Sequence, residues 1–233
     1  MKNAPYVLLA VILGLAACQN ASTPVARGEN YFNGLGCVKC HTMGDKGVAW
    51  GPDLTMIGFR KSPEWLDQWL KDPHAWRKET VMPAFNLKDD VRADLVAYLS
   101  AQKGQGWEKS GRPWDHPSVK DDSIKRGEML FSKAGCVACH AEKGRGGYPN
   151  NNVMGGQIPS LAKVFEGYTK DELKTKIRSG VVPDSADPSQ PKPMVVMPKW
   201  SEVLKDDEID AVATYLISLG KSGSAGKKSA DGW

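Results

Sequence analysis

One stretch of this chain is written twice. Arg27, Gly28, Glu29, Phe32 and Gly36 lead into Cys37-Val38-Lys39-Cys40-His41, and Arg126, Gly127, Glu128, Phe131 and Gly135 lead at the same spacing into Cys136-Val137-Ala138-Cys139-His140. Repetition in register means one structural unit used twice, so the two halves must share a fold. Each half must also bring two thiols and an imidazole together on one local turn.

Cys-x-x-Cys-His is the attachment sequence for c-type haem. Cysteines three residues apart face one side of a helical turn, where they can add to two vinyl groups along one porphyrin edge, and the next residue brings an imidazole under the iron. A redox dithiol or half of a zinc site also uses Cys-x-x-Cys. Neither requires the histidine, and a shared zinc would have to join pentads nearly half the chain apart. Two haem c groups are therefore expected, one on Cys37 and Cys40 with His41 as proximal iron ligand, the other on Cys136 and Cys139 with His140.

The chain opens with Lys2 and a short apolar run from Tyr6 to Ala17, too short to span a bilayer, ending in Leu15-Ala16-Ala17-Cys18. This resembles a signal peptide with a lipobox, which implies cleavage before Cys18 and lipid on that residue. An unlipidated signal peptide is the alternative. Lipidation accounts for the fifth of the five cysteines. Gln19 leans toward the outer membrane if the host is Gram-negative. The expected location is the periplasmic side of a bacterial envelope, which suits haem attachment outside the cytoplasm.

The 233 residues suffice for two ordinary domains, and the scarcity of alternating apolar patterns favours an all-α class. The formal charge of +4, reduced to +3 without Lys2, is roughly cancelled by haem propionates. Nucleic acid is therefore not an expected partner.

After each pentad the same order of elements returns. In the first half, Gly51-Pro52-Asp53-Leu54 bends the chain, Ser62-Pro63-Glu64-Trp65 caps a middle helix, Val81-Met82-Pro83 follows, and Asp89 and Asp90 open a last helix containing Tyr98. In the second half, Ile158-Pro159-Ser160-Leu161, a helix from Thr169 to Ile177, Val196-Met197-Pro198 and a helix from Asp206 to Leu216 answer them. This order resembles the class I c-type cytochromes, specifically their two-domain dihaem members, over nearly all of the chain after the leader. The resemblance implies two tandem class I cytochrome c domains, each a few helices around one haem. It also implies that Tyr98 packs on Phe32 and Tyr215 on Phe131.

The expected organisation is a signal peptide over 1–17, a lipidated tether over 18–24, a first domain over 25–101, a linker over 102–122, a second domain over 123–220 and a disordered tail over 221–233. Trp107 and Trp114 could pin the linker to a domain.

Methionine thioether as sixth ligand raises a haem potential relative to two imidazoles and keeps the iron closed. Met82 and Met197, each followed by proline, are the candidates, with Met194 a rival to Met197. Met43, Met56, Met129 and Met154 read as packing residues. His74 and His116 read as exposed or capping residues. The second half carries two insertions, Glu142 to Gln157 and Val181 to Val195, whose compositions suit surface loops and read first as tolerated loop growth.

The resulting expectation is a membrane-tethered carrier of single electrons in a respiratory or related chain, with no catalytic residues. Its partners would be a redox donor and acceptor, among them a membrane oxidase or quinol-oxidising complex. A dihaem peroxidase-like enzyme with one open haem and a fixed subunit of a larger oxidoreductase are the alternatives.

Overall fold

The computed structural model describes residues 23–224. The expected signal peptide, Cys18 with most of its tether, and the tail beyond Ser224 lie outside the described residues.

The first domain opens with α1 (Pro24–Gly34), whose N-cap Thr23 accepts from the Ala26 amide at 3.2 Å, with Pro24 in the first turn. Leu35 ends the helix, Gly36 adopts φ 77°, and a single 3-10 turn carries Cys37–Lys39. A two-residue hairpin, β1 (Thr42–Met43) against β2 (Lys46–Gly47), is the one sheet among the described residues. Then come α2 (Ile57–Arg60), α3 (Pro63–Lys71) capped by Ser62 Oγ on the Trp65 amide, α4 (Pro73–Trp76) and α5 (Asp89–Ser100).

The crossing of α1 and α5 is the most extensive helix pair of the fold. Glycine makes it possible. A methyl group on Gly28 would meet the Asp94 carbonyl oxygen at 2.0 Å and Tyr98 Cβ at 2.6 Å, so only a residue without a side chain lets the backbones approach this closely. One turn along, Phe32 and Tyr98 pack with ring centroids 5.4 Å apart, and Arg27 clamps Asp94 with two bonds of 2.7 Å.

The second domain repeats this device with α7 (Ser123–Leu130) and α11 (Asp206–Ser224). A methyl group on Gly127 would meet the Ala211 carbonyl oxygen at 2.0 Å, Phe131 lies 5.5 Å from Tyr215, and Arg126 bonds Asp207 at 2.9 Å. Arg-Gly-Glu and Phe recur in the sequence because each repeat needs the same crossing. The entries to the pentads differ: in the second domain the helix runs through a π turn, Phe131–Gly135, into α8 (Val137–His140). Further on, α9 (Val164–Gly167) precedes α10 (Lys170–Ser179), which begins with a capping box between Thr169 and Glu172. α11 continues to Ser224, so the first residues assigned to a disordered tail extend the last helix instead.

Between the domains lies α6 (Gly106–Ser110), then a 3-10 turn at Pro113–Asp115. Trp107 and Trp114 are both buried and meet edge to face at 4.8 Å. The Trp114 indole donates to the fully buried Glu208 at 2.6 Å, and Arg112 reaches both oxygens of that carboxylate at 2.8 Å. The stretch with linker composition is thus fastened to α11.

The insertions of the second domain are stitched to each other. Asn150 donates to the Val195 carbonyl at 2.8 Å and accepts from its amide at 3.1 Å. Asn151 does the same with Lys192 and Met194, and Asn152 with Asp187 and Pro191. Their apolar edge, Tyr148, Ile158, Met194 and Val195, packs into the cluster built by Phe32, Trp65, Leu66 and Leu95 of the first domain. The insertions therefore form part of the interdomain contact, a specific role in place of simple loop growth.

Candidate functional site

His41 stands directly after its second cysteine on the turn opened by Gly36. Its Nδ1 lies 2.8 Å from the Pro52 carbonyl oxygen. A carbonyl can only accept, so Nδ1 carries the proton and the Nε2 lone pair is left free for a metal. Gly51 holds the other side of the ring: a methyl group there would stand 2.6 Å from His41 Cε1. The Gly51-Pro52 bend thus fixes both the tautomer and the plane of the imidazole.

In the second pentad burial pushes the His140 imidazole down to about 4, which keeps the ring neutral near pH 7, and its buried Nδ1 has no partner. Phe131 packs near it, with ring centroids 6.4 Å apart. Burial also raises the Cys37 thiol and pushes Cys136 up to about 12. A redox dithiol needs a depressed pKa on its attacking thiol, so the direction of these shifts argues against that use of the pentads. In a haem-loaded protein the four thiol sulfurs stand for thioethers and no longer titrate.

Met82 is half-buried beside the core of the first domain, and its sulfur accepts from the Trp69 indole N–H at 3.0 Å. Sequence reasoning missed this contact, although Trp69 recurs four residues after Trp65 on the apolar face of α3. Met197 exchanges two backbone bonds of 2.9 Å with Val181 and lies against the same apolar cluster as Cys136 and Val137. Met194 instead joins the cluster of the first domain, which also takes in Cys139 of the second pentad. His74 and His116 are exposed, and the latter bonds Ser118. Met43, Met56 and Met129 pack against the cores as expected. Met154 does not, being 83% exposed on the first insertion.

A cleft of about 480 Å³ is lined by Thr42, Pro52 and Asp53 of the first domain and by Phe131, Val137 and Tyr215 of the second. Around the boundary several buried donors lack acceptors: Trp65 Nε1, Trp76 Nε1, Arg60 Nε and Lys61 Nζ. Buried donors left unpaired are costly, and the carboxylates of a haem supply acceptors that the chain does not. The residues present fit that group.

Comparison with known families decides the assignment. The Cytochrome c family matches residues 25–103 and again 124–220. This chain belongs to the cytochrome c family. Two such domains imply two covalently bound haem c groups, and the chemistry is electron transport through haem iron.

The cytochrome is 29% identical over 216 residues to the cbb3-type cytochrome c oxidase subunit FixP of Bradyrhizobium diazoefficiens, covering 84% of this chain and 61% of that one. It is 31% identical over 86 residues to the cytochrome c oxidase subunit 2 of Alkalihalophilus pseudofirmus, covering 33% of this chain and 25% of that one. Cytochrome c6 of Euglena gracilis is 30% identical over 87 residues, 36% of this chain and 78% of the relative. The cytochrome thus spans a quarter of the oxidase subunit 2 and about three fifths of FixP.

Proposed function

We propose that this cytochrome is a dihaem, lipid-anchored carrier of single electrons on the periplasmic side of a bacterial envelope. Cys37 and Cys40 would attach the first haem and Cys136 and Cys139 the second. His41 and His140 would ligate iron from one side, Met82 and Met197 from the other. Met197 is preferred to Met194 because only it is followed by proline, as Met82 is. Cys18 would carry the anchor, and the outer membrane is favoured in a Gram-negative host.

The observation that carries the reading is the His41–Pro52 bond, which protonates Nδ1 and turns a free Nε2 toward a ligand. Haem supplies reversible one-electron chemistry at iron. The chain orients the imidazoles, presents a soft sulfur at Met82 and keeps the surroundings apolar. Met82 and Met197, as ligands, would leave neither iron open to substrate, which would separate a carrier from a peroxidase-like enzyme. The cytochrome's partners would be a redox donor and acceptor, among them a membrane oxidase or a quinol-oxidising complex.

A second reading, a fixed subunit of a larger oxidase, is favoured by the alignment with FixP over most of this chain.

The test is the optical spectrum of the ferric holoprotein. Two His/Met centres give the full far-red sulfur-to-iron band per haem and no response to carbon monoxide after reduction. Half the band, or one haem that binds the added ligand, moves the peroxidase-like reading to the front. Affinity purification from mild detergent separates the remaining pair: a fixed subunit brings an oxidase with it, a carrier does not.

A further inference from the structure

Two cations of α2 and its C-terminal edge sit at the boundary between the domains. Arg60 is 6% exposed, and its guanidinium donates to the Gly135 carbonyl at 3.3 Å and the Asp53 carbonyl at 2.6 Å. Lys61 is equally buried, and its Nζ has no oxygen or nitrogen acceptor, with Cys139 its polar neighbour. It is held by ring faces instead, 4.2 Å from the centroid of Trp65 and 4.8 Å from that of Tyr148. Trp65 belongs to α3 of the first domain and Tyr148 to the first insertion of the second, so both domains grip this ammonium. Cys139 of the second pentad lies within its electrostatic reach.

A lysine free to choose extends its head into water. Keeping it inside carries a desolvation penalty: burial first and the neighbouring Arg60 lower its pKa, and Cys139 acts against them. Among the described residues no carboxylate pairs with it. The interior therefore holds a cation that the chain does not neutralise, beside a sulfur that would join a haem edge.

We propose that Lys61 sets the reduction potential of the second-domain haem, acting across the domain boundary from its cage of Trp65 and Tyr148. The inference rests on haem attachment at Cys136 and Cys139 as proposed above. When a redox donor gives up one electron and ferric iron takes it, the site loses one positive charge. A fixed cation nearby favours that reduced form. A unit charge about 10 Å from a redox centre, at an effective dielectric of about 20, would shift the reduced-to-oxidised ratio on the order of tenfold. Lys61 is thus a positioning residue of electrostatic kind, touching neither donor nor acceptor.

The test uses full-length holoprotein with Lys61→Met, Lys61→Gln and Lys61→Arg. Haem content is counted by the pyridine haemochrome method. The two potentials are measured by spectroelectrochemistry and assigned by NMR cross-peaks between haem methyls and the β-protons of the attaching cysteines. In the Met and Gln variants the reduced-to-oxidised ratio of the second-domain haem at fixed ambient potential should fall about tenfold, a shift of about 59 mV for one electron, and Lys61→Arg should restore most of it. The Gln variant covers the case in which the Met variant does not fold. Unchanged potentials, or a shift confined to the first-domain haem, overturn the proposal. Fewer than two haems in the wild-type protein overturns the attachment reading beneath it.

Discussion

Replacing Trp69 with phenylalanine removes one hydrogen bond and little else. The indole N–H that donates to Met82 Sδ at 3.0 Å is lost, while a six-membered ring remains to stack on Trp65, whose centroid lies 5.1 Å away at an interplanar angle of 15°. A donor on the sulfur draws electron density from the thioether and weakens it as a ligand, more so for ferric than for ferrous iron. Its loss therefore favours the ferric form and lowers the potential of the first-domain haem. A net hydrogen bond is worth about 1 kcal/mol, and if it acted on one oxidation state alone the one-electron shift would be about 40 mV. That figure is an upper bound, because the bond survives in part in both states. The second domain is the internal control. Its middle helix is capped by Thr169 as α3 is capped by Ser62, and in that register Leu173 and Ile177 match Leu66 and Leu70 as buried residues, while the exposed Lys176 takes the place of Trp69. Spectroelectrochemical titration should show one potential moving down and the other fixed. An upward shift, or equal movement of both, refutes the assignment of Met82 as a ligand tuned by Trp69.

Gly127→Ala forces a methyl group into the Ala211 carbonyl at the crossing of α7 and α11, and should destabilise the second domain by about 2 kcal/mol or more, read by urea unfolding. Asn150→Ala leaves the Val195 amide and carbonyl without their side-chain partner inside the protein; a loss of about 2 to 4 kcal/mol is expected, with faster hydrogen exchange at the Val195 amide. Hydrogen bonding to Arg126 holds the Asp207 carboxyl below its ordinary value of 3.8, and Lys174 does the same for Asp210. A depressed folded-state pKa contributes stability that is present above the unfolded value and lost as pH falls through the folded one, so the melting temperature should drop below about pH 4. Both carboxylates are partly exposed, so the effect is modest, and Asp207→Asn should flatten that part of the curve.

The parts of the fold set by local chemistry were legible from residues. Ser62 with Pro63, and Asp89 with Asp90, each mark a helix start within one turn of chain, and the structure opens helices there. The Phe32–Tyr98 and Phe131–Tyr215 contacts followed from the resemblance and from the repeat itself. What escaped was long-range polar pairing. Asn150, Asn151 and Asn152 look like turn formers, and nothing in their spacing points to backbone groups some forty residues further on. Glu208 read as one acid among three at a helix start, yet it is the buried partner of Arg112 and Trp114. Met154 was assigned to packing on residue type alone, but it sits at the tip of an insertion held by neighbouring asparagines. Lys61 gave no signal at all, since a lysine after an arginine reads as solvated surface.

The shared apolar boundary has a consequence for how the halves can be used. Val195 of the second domain completes the core around Phe32, Trp65 and Leu95, while Met56, Phe59 and Trp107 of the first half and linker complete the core around Leu130, Ile209 and Leu216. Phe59 meets Trp200 edge to face at 5.2 Å. Gene duplication supplied two modules, but each has since surrendered part of its interior to the other. Expressed alone, either half would present an uncovered greasy face to water and tend to self-associate, so recombination that shuffles single cytochrome domains has to keep this pair together as one inherited unit.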